Sequence, residues 1–274
     1  MGISIPDKLQ IGETNMNLYA KKLPVALAVY SVRDAAQEDF YGTMAMVKEM
    51  GYDGVELAGL YGQEPSAVRD ALDKAGIRAI SAHIPVSALL SETEKTIDDY
   101  LTVGCEYMAI PHIPEDMRHT SPGFDNLLKE LSRIGQACAG KGAKLLYHNH
   151  DFEFQKMPCG AYMLDYMFAN VPAALLRMEP DTCWIKFSGV DPADYVRKYT
   201  GRCPIIHLKD YTGSTKNDLE FHPIGSGKQD IPAILQASLD AGAEWVVVEQ
   251  DHSPTRPPLE AAKISRAYLA SLGW

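Results

Sequence analysis

Eight short apolar runs, each followed by an amphipathic stretch, constrain this chain more than any other feature. They fall at residues 25–29, 54–57, 79–82, 107–110, 144–147, 175–178, 205–208 and 245–248. Each is four or five residues long and most lack strict polar alternation. That is the pattern of parallel strands covered on both faces. The stretches between them carry helical spacing. Met44, Val47 and Met50 recur on one face of 41–50, and Leu127, Leu128, Leu131, Ile134 and Ala137 do so over 124–138. Ile231, Ile234, Leu235 and Leu239 form a third stripe, with Asp230 as its cap and Pro232 in its first turn. Glycines at 51, 76 and 242 stand between a helical stripe and the next apolar run, where a helix C-cap is expected. Eight strand–helix units in a 274-residue chain predict one α/β domain, a (β/α)8 TIM barrel over 23–274, preceded by an extension at 1–22.

Composition narrows the class of function. The formal charge is −10 and no basic run is longer than two residues, which argues against a nucleic acid partner. No apolar run approaches the length of a membrane span, and the first residues do not read as a secretory signal, so no membrane partner is expected. The five cysteines, at 105, 138, 159, 183 and 203, are odd in number and form no C-x-x-C pair. They read as reduced thiols of a cytoplasmic protein.

In a barrel of this kind the chemistry gathers where strands end and the following loops begin. Those ends carry Tyr30 and Arg33; Glu56; His83; His112; His148, His150 and Glu153; Glu179 and Asp181; His207, Lys209 and Asp210; and Glu249 and Asp251. Five of the eight histidines fall at such ends, where random placement would scatter them over the surface. Imidazoles and carboxylates converging on one barrel mouth suit a divalent metal such as Mn, Zn, Fe, Co or Mg. The Gly225-Ser226-Gly227-Lys228 stretch lacks the remaining residues of a phosphate loop and reads as the approach to the next helix.

The segments 146–154 (LYHNHDFEF), 181–184 (DTCW), 189–192 (GVDP), 206–210 (IHLKD), 224–227 (IGSG) and 248–251 (VEQD) resemble the sugar isomerase/epimerase superfamily with the xylose isomerase-like barrel. The resemblance implies one divalent metal, Mn first and Zn, Co, Fe or Mg next. Its ligands would be Asp181, His207 and Glu249, with Glu153 as the strand-five ligand and His148 as the alternative. It implies acid/base roles for His148, His150 and Glu249, and an oxyanion role for Lys209. Tyr30, Arg33, Glu56, His83, His112 and Trp184 are the expected substrate contacts. The implied partner is a small-molecule sugar or cyclitol, with a homo-oligomer possible on family grounds. The implied reaction removes a proton next to a carbonyl, the first step of an isomerase or epimerase. Trp184 stands where the ketose epimerases of the superfamily carry a histidine, and the His148-Asn149-His150 pair is more like the inosose dehydratase branch. A dehydratase or lyase acting on a keto-inositol or 3-keto glycoside is therefore the alternative, and an endonuclease IV-like phosphodiesterase the second alternative.

Overall fold

A computed structural model describes residues 21–274 of the chain. All but the last two residues of the expected 1–22 extension lie outside this range. Eight parallel strands form the barrel: β1 (Val25–Ala28), β2 (Gly54–Leu57), β3 (Arg78–His83), β4 (Tyr107–Ile110), β5 (Lys144–His148), β6 (Arg177–Glu179), β7 (Ile205–Leu208) and, after a two-stranded hairpin of β8 (Asp210–Thr212) and β9 (Glu220–His222), β10 (Trp245–Val248). The ladder runs β6-β5-β4-β3-β2-β1-β10-β7. The remaining seam, between β6 and β7, is closed by one parallel bridge of Asp181 with His207 and by the His207 amide donating to the Pro180 carbonyl at 3.0 Å. Pro180 has no N–H to return, so the ladder cannot continue there. The weakest seam of the barrel thus lies beside the richest cluster of ionisable side chains.

The expected elements form with small shifts. The helix expected over 41–50 is Phe40–Glu49, that over 124–138 is Phe124–Gly140, and the third stripe is Ile231–Asp240. The Asp230 carboxylate accepts from the Ala233 amide at the start of that last helix, as its sequence position implied. The largest correction is to the sixth strand, placed at 175–178 by hydrophobicity but formed by Arg177–Glu179. Hydrophobicity missed Glu179 because a strand that ends inside a polar site carries polar residues inward. Gly76 closes the helix Pro65–Ala75 at φ 71°, a left-handed conformation that a side chain would strain.

Apolar side chains fill two spaces of the barrel, apart from a small cluster of Cys183, Tyr211 and Phe221 at the β8–β9 hairpin. The larger cluster lies between strands and helices, and includes Leu27, Val55, Met108, Tyr147, Met178 and Val246. A smaller one consists of Ala26, Ala28, Ile80, Tyr107, Ala109, Leu146, Ile205, Trp245 and Val247. These are alternate residues of the same strands and fill the barrel interior, as the two-residue strand period requires. Each large aliphatic side chain so buried contributes about 1.5–3 kcal/mol. Two residues further along each of β5, β7 and β10, the same inward face becomes polar: Leu146 gives way to His148, Ile205 to His207, and Val247 to Glu249.

Candidate active site

Four consecutive strands of the barrel each end in a pair of inward residues two apart. They are His148 and His150, Glu179 and Asp181, His207 and Lys209, and Glu249 and Asp251. The pairing builds two tiers, because every second strand residue faces the same way. Glu56 from β2 and His83 from β3 join the lower tier.

In the lower tier the Glu56 Oε1 atom stands 3.0 Å from His83 Nε2 and 2.9 Å from His207 Nε2. Glu179 Oε2 lies 2.8 Å from His83 Nε2 and 3.2 Å from His148 Nδ1. A one-residue register shift between Val55 and Glu56 pairs Glu56 with Ser81, whose hydroxyl donates to Glu56 Oε2 at 2.6 Å. Burial raises the Glu56 carboxyl, but the facing His83 and His207 more than reverse this and hold it at about 2. Burial and the neighbouring Glu56 charge push Glu179 up to about 7. His207 is opposed by burial, yet Glu56 and Glu179 lift it well above the usual imidazole range.

In the upper tier Lys209 is fully buried, its Nζ 2.8 Å from Asp181 Oδ2, 2.9 Å from Glu249 Oε2 and 2.8 Å from Asp251 Oδ1. Burial opposes its charge, but the three carboxylates hold its pKa well above that of an ordinary lysine. It is a fixed cation and not a base. The simple ion pair with neighbouring Asp210 does not form. Asp210 instead accepts from the backbone amides of Tyr211, Gly225, Gly227 and Gln229. A Cβ at 227 would collide with its carboxylate, which explains the glycine-rich sequence without a phosphate. Asp181 is oriented by its own helix, since Oδ1 accepts from the Cys183 and Trp184 amides and Oδ2 is left to face Lys209.

A cavity of about 480 Å³ opens above these tiers. Its polar wall is His83, His148, His150, Lys209, Glu249 and Asp251, and its apolar wall includes Tyr30, Ala58, Pro85 and Pro111. His112 lies on its rim, 3.0 Å from an Arg118 nitrogen. The His150 ring packs 5.5 Å from Trp184 and leaves its buried Nδ1 without a hydrogen-bond partner. Burial and the nearby Lys209 charge push this imidazole down to about 3, so it is neutral. His148 is likewise held well below its ordinary value by burial and by His207 and His83.

The expected residues sort unequally against this geometry. His148, His150, Lys209 and Glu249 face one cavity, with Tyr30, His83 and His112. Asp181, His207 and Glu249 do come together, but their fourth neighbour is His148 and not Glu153. Glu153 needs correction: its carboxylate accepts from the Tyr147 hydroxyl at 2.7 Å and the His150 amide at 2.8 Å, apart from both ligand groups. Tyr147 belongs to the outer face of β5, so Glu153 is held on that side of the strand. Glu56 also needs correction, being buried below His83 and His207, with no place on the cavity wall. Arg33 stacks on Tyr30 at 4.3 Å and lines a neighbouring cleft with Pro254 and Pro257. Trp184 flanks the site behind His150, outside the cavity wall. Among the described residues His112 joins neither ligand group. Glu179 and Asp251 had been noted only as strand-end residues. The i, i+2 spacing on four successive strands is the signal that would have recruited them.

The donors suit a divalent ion. His83, His148, Glu179 and His207 form one group whose ligand atoms lie within 4.8 Å of one another, and His148, Asp181, His207 and Glu249 form a second. Glu179 Oε1 is buried with no hydrogen-bond partner, while Glu56 Oε1, Asp181 Oδ2 and His207 Nε2 are buried and held by ion-pair contacts. Buried groups of this kind are costly unless a ligand satisfies them.

An eight-stranded barrel with ionisable residues massed at the carboxyl ends of its strands defines an enzyme scaffold. The chain belongs to the xylose isomerase-like TIM barrel family, whose model matches residues 44–272. It is 25% identical over 267 residues to an inosose dehydratase of Geobacillus kaustophilus, covering 84% of this chain and 86% of that protein. A sugar phosphate isomerase/epimerase from Parabacteroides distasonis superposes with a TM-score of 0.79 at 20% identity, covering 90% of this chain and 98% of the other. A further structure, solved with a bound zinc atom, has a TM-score of 0.68 at 14% identity and covers 91% of this chain and 98% of its own. Among the described residues no helix is long and apolar enough to cross a membrane.

Proposed function

We propose that the protein is a metal-dependent enzyme that removes a proton next to the carbonyl of a keto sugar or keto cyclitol and eliminates a leaving group from the adjacent carbon. The observation that carries this is His150, half-buried with its Nδ1 aimed inward and without a hydrogen-bond partner, on the wall of a 480 Å³ cavity that Lys209 also lines. A neutral imidazole can accept a proton, and a fixed ammonium favours negative charge developing on a substrate oxygen. His148 is a second acceptor on the same wall, oriented by its Nδ1 contact with Glu179. Glu249 is held ionised by Lys209 and His207 against the effect of burial, and lies within reach of both histidines' field.

In the proposed reaction an imidazole takes the proton from the carbon next to the ketone, and the electron pair passes into the carbonyl. The pair returns to form a carbon–carbon double bond as the hydroxyl or alkoxy group departs, and the imidazolium returns its proton to that group as water or alcohol. A divalent cation held among the imidazoles and carboxylates would polarise the ketone oxygen. Two histidines and several carboxylates accept Mn, and equally Zn, Fe or Co. The similarity to inosose dehydratases, and the aromatic Trp184 behind His150, favour elimination over reprotonation in an isomerase or epimerase cycle. The unbridged cysteines fit a cytoplasmic location.

The test is a screen of inososes, keto sugars and 3-keto glycosides with added divalent metal, followed by NMR in deuterated water. Elimination is read as a new olefinic signal with loss of water or aglycone. Deuterium at the carbon next to the ketone without an olefin restores the isomerase or epimerase reading. No exchange with any of these compounds overturns the proposal.

A further inference from the structure

We infer that the site takes a substrate in two parts, with the keto ring in the cavity beside His150 and an apolar, ring-bearing leaving group in a second cleft beyond Tyr30 and Arg33. This rests on the elimination reading and names its substrate class: an O-glycoside of a keto sugar with an apolar aglycone, in preference to a free cyclitol.

Continuity of the two chambers is the first support. The second cleft, about 630 Å³, is larger than the 480 Å³ reaction cavity, and Asp251 and His252 line both. Asp251 belongs to the two at once. Its carboxylate Oδ1 is 2.8 Å from Lys209 Nζ, and its carbonyl oxygen accepts from Arg33 Nη1 at 3.1 Å. The partition at this point is the width of one residue, which a leaving group joined to the ring through a single oxygen can span. Each chamber lies in the range of about 300–1,000 Å³ that binds small molecules. A lone six-membered ring uses the first and leaves the second to water.

The lining is the second support. The reaction cavity is walled by histidines, Lys209 and carboxylates, whereas the cleft is walled by Val32, Ala35, Pro254, Pro257, Pro258 and Leu259. The three prolines are exposed, so an apolar occupant would remove their surface from water. Tyr30, 39% exposed, stands at the reaction cavity's edge with the Arg33 guanidinium 4.3 Å from its ring centre. The polar side chains of the cleft are mostly engaged within the protein. Ser31 Oγ accepts from the Gln250 amide at 2.9 Å, Ser253 Oγ donates to the Arg256 carbonyl at 2.9 Å, and Arg33 Nη1 donates to the Tyr30 and Asp251 carbonyls. Asp34 is exposed to solvent. A second sugar would lose water from its hydroxyls here and find few partners in return.

The cleft is also tied in place. The Ser31–Gln250 bond joins the loop after β1 to the loop after β10, and Gln250 Nε2 donates to the His252 carbonyl at 2.9 Å. A wall already ordered costs little further entropy when a ligand binds. In the step that follows, the imidazole removes the proton from the carbon between the ketone and the glycosidic carbon. A carbon–carbon double bond forms, the glycosidic carbon–oxygen bond breaks, and the alcohol departs into the cleft with the proton that the imidazolium returns.

The test compares methyl and 2-phenylethyl 3-keto-glucosides, whose alcohols are close in acidity, with an inosose as the compact reference. It uses the full chain loaded with Mn²⁺ and follows released alcohol and olefin. One methylene in an apolar pocket is worth about 10–200-fold, so kcat/KM for the phenylethyl glycoside should exceed that for the methyl glycoside at least about ten-fold. Ala35→Trp, which fills the cleft, and Leu259→Asn, which makes its wall polar, should each bring that ratio near one. An unchanged ratio in both variants, with native circular dichroism, puts the aglycone elsewhere and overturns the proposal. A wild-type ratio near one, or an inosose turned over better than the phenylethyl glycoside, also overturns it and leaves the elimination reading intact. A cleft filled by residues 1–20 of the full chain would give that same ratio near one. No elimination from any of the three compounds overturns the elimination reading itself.

Discussion

The two halves of the barrel interior use the same strands and the same two-residue alternation, yet they hold opposite chemistry. The half toward the strand starts is packed with Ala26, Ala28, Ile80, Leu146, Ile205 and Val247, with Tyr107 and Trp245 closing its end. The half toward the strand ends holds Glu56, His83, His148, Glu179, Asp181, His207, Lys209 and Glu249, nearly all fully buried. The first half stabilises the fold by removing apolar surface from water. The second gathers four buried carboxylates and the half-buried Asp251 against one lysine and a few imidazoles. Removing one partner from such a network strands its neighbours' charge. Stability and chemistry are thus divided along each strand, within two residues of one another.

Breaking the upper tier should have the largest effect. Lys209→Met leaves Asp181, Glu249 and Asp251 facing one another in a buried space, and should cost about 3–5 kcal/mol of stability together with nearly all turnover. Chemical denaturation of the variant beside the wild type measures this, and an unchanged midpoint would refute the buried-cation role. His150→Phe should separate function from folding. The ring stays packed against Trp184, so the melting temperature should move by no more than a few degrees, while kcat falls about 10²–10⁴-fold from loss of a general base. Full activity in that variant would move the base to His148. Leu146→Ala probes the other half: about 2–5 kcal/mol of stability should be lost to the cavity, with metal affinity unaltered. A matching loss of metal would show that the two halves are not independent.

The smallest effect concerns Glu153, buried on the far side of β5 from the cavity. Burial pushes its carboxyl up from 4.5 to about 8, despite the Tyr147 and His150 hydrogen bonds. A carboxyl with a raised folded-state pKa stabilises the fold when protonated, and that contribution is lost as pH rises from about 4.5 to about 8. Glu153→Gln, which cannot ionise, should therefore gain melting temperature relative to the wild type at pH 9 compared with pH 5. Fluorimetric melting at both pH values checks this, and an equal difference at the two would mean Glu153 is ionised throughout.

Much of this was legible in the sequence for local reasons. Strand ends at 57, 110, 208 and 248, the Asp230 cap and the glycine stops depend on near neighbours along the chain. His148, His150, His207, Lys209 and Glu249 were recognisable because a parallel barrel directs every strand end to one face. Glu153 was misplaced because its five-residue separation from His148 says nothing about which side of β5 it returns to. The 3-10 turn at Phe152–Phe154 sends it back against Tyr147. Glu56 was taken for a substrate contact because a strand-end carboxylate looks the same in sequence at either depth.

The sequence by itself determined the number of barrel strands, though not the β8–β9 hairpin, together with their order along the chain, the inward period of two and the pool of ionisable residues at the strand ends. Only the tertiary structure decided which of those residues meet, and at what depth. Glu56 and His207 are 151 residues apart and come within 2.9 Å across the closed barrel, with a register shift in β2 at the point that sets Glu56 against Ser81. Alternation is a property of each strand. Convergence depends on how eight tilted strands are staggered around a closed ring, and so it exists only once the barrel has formed.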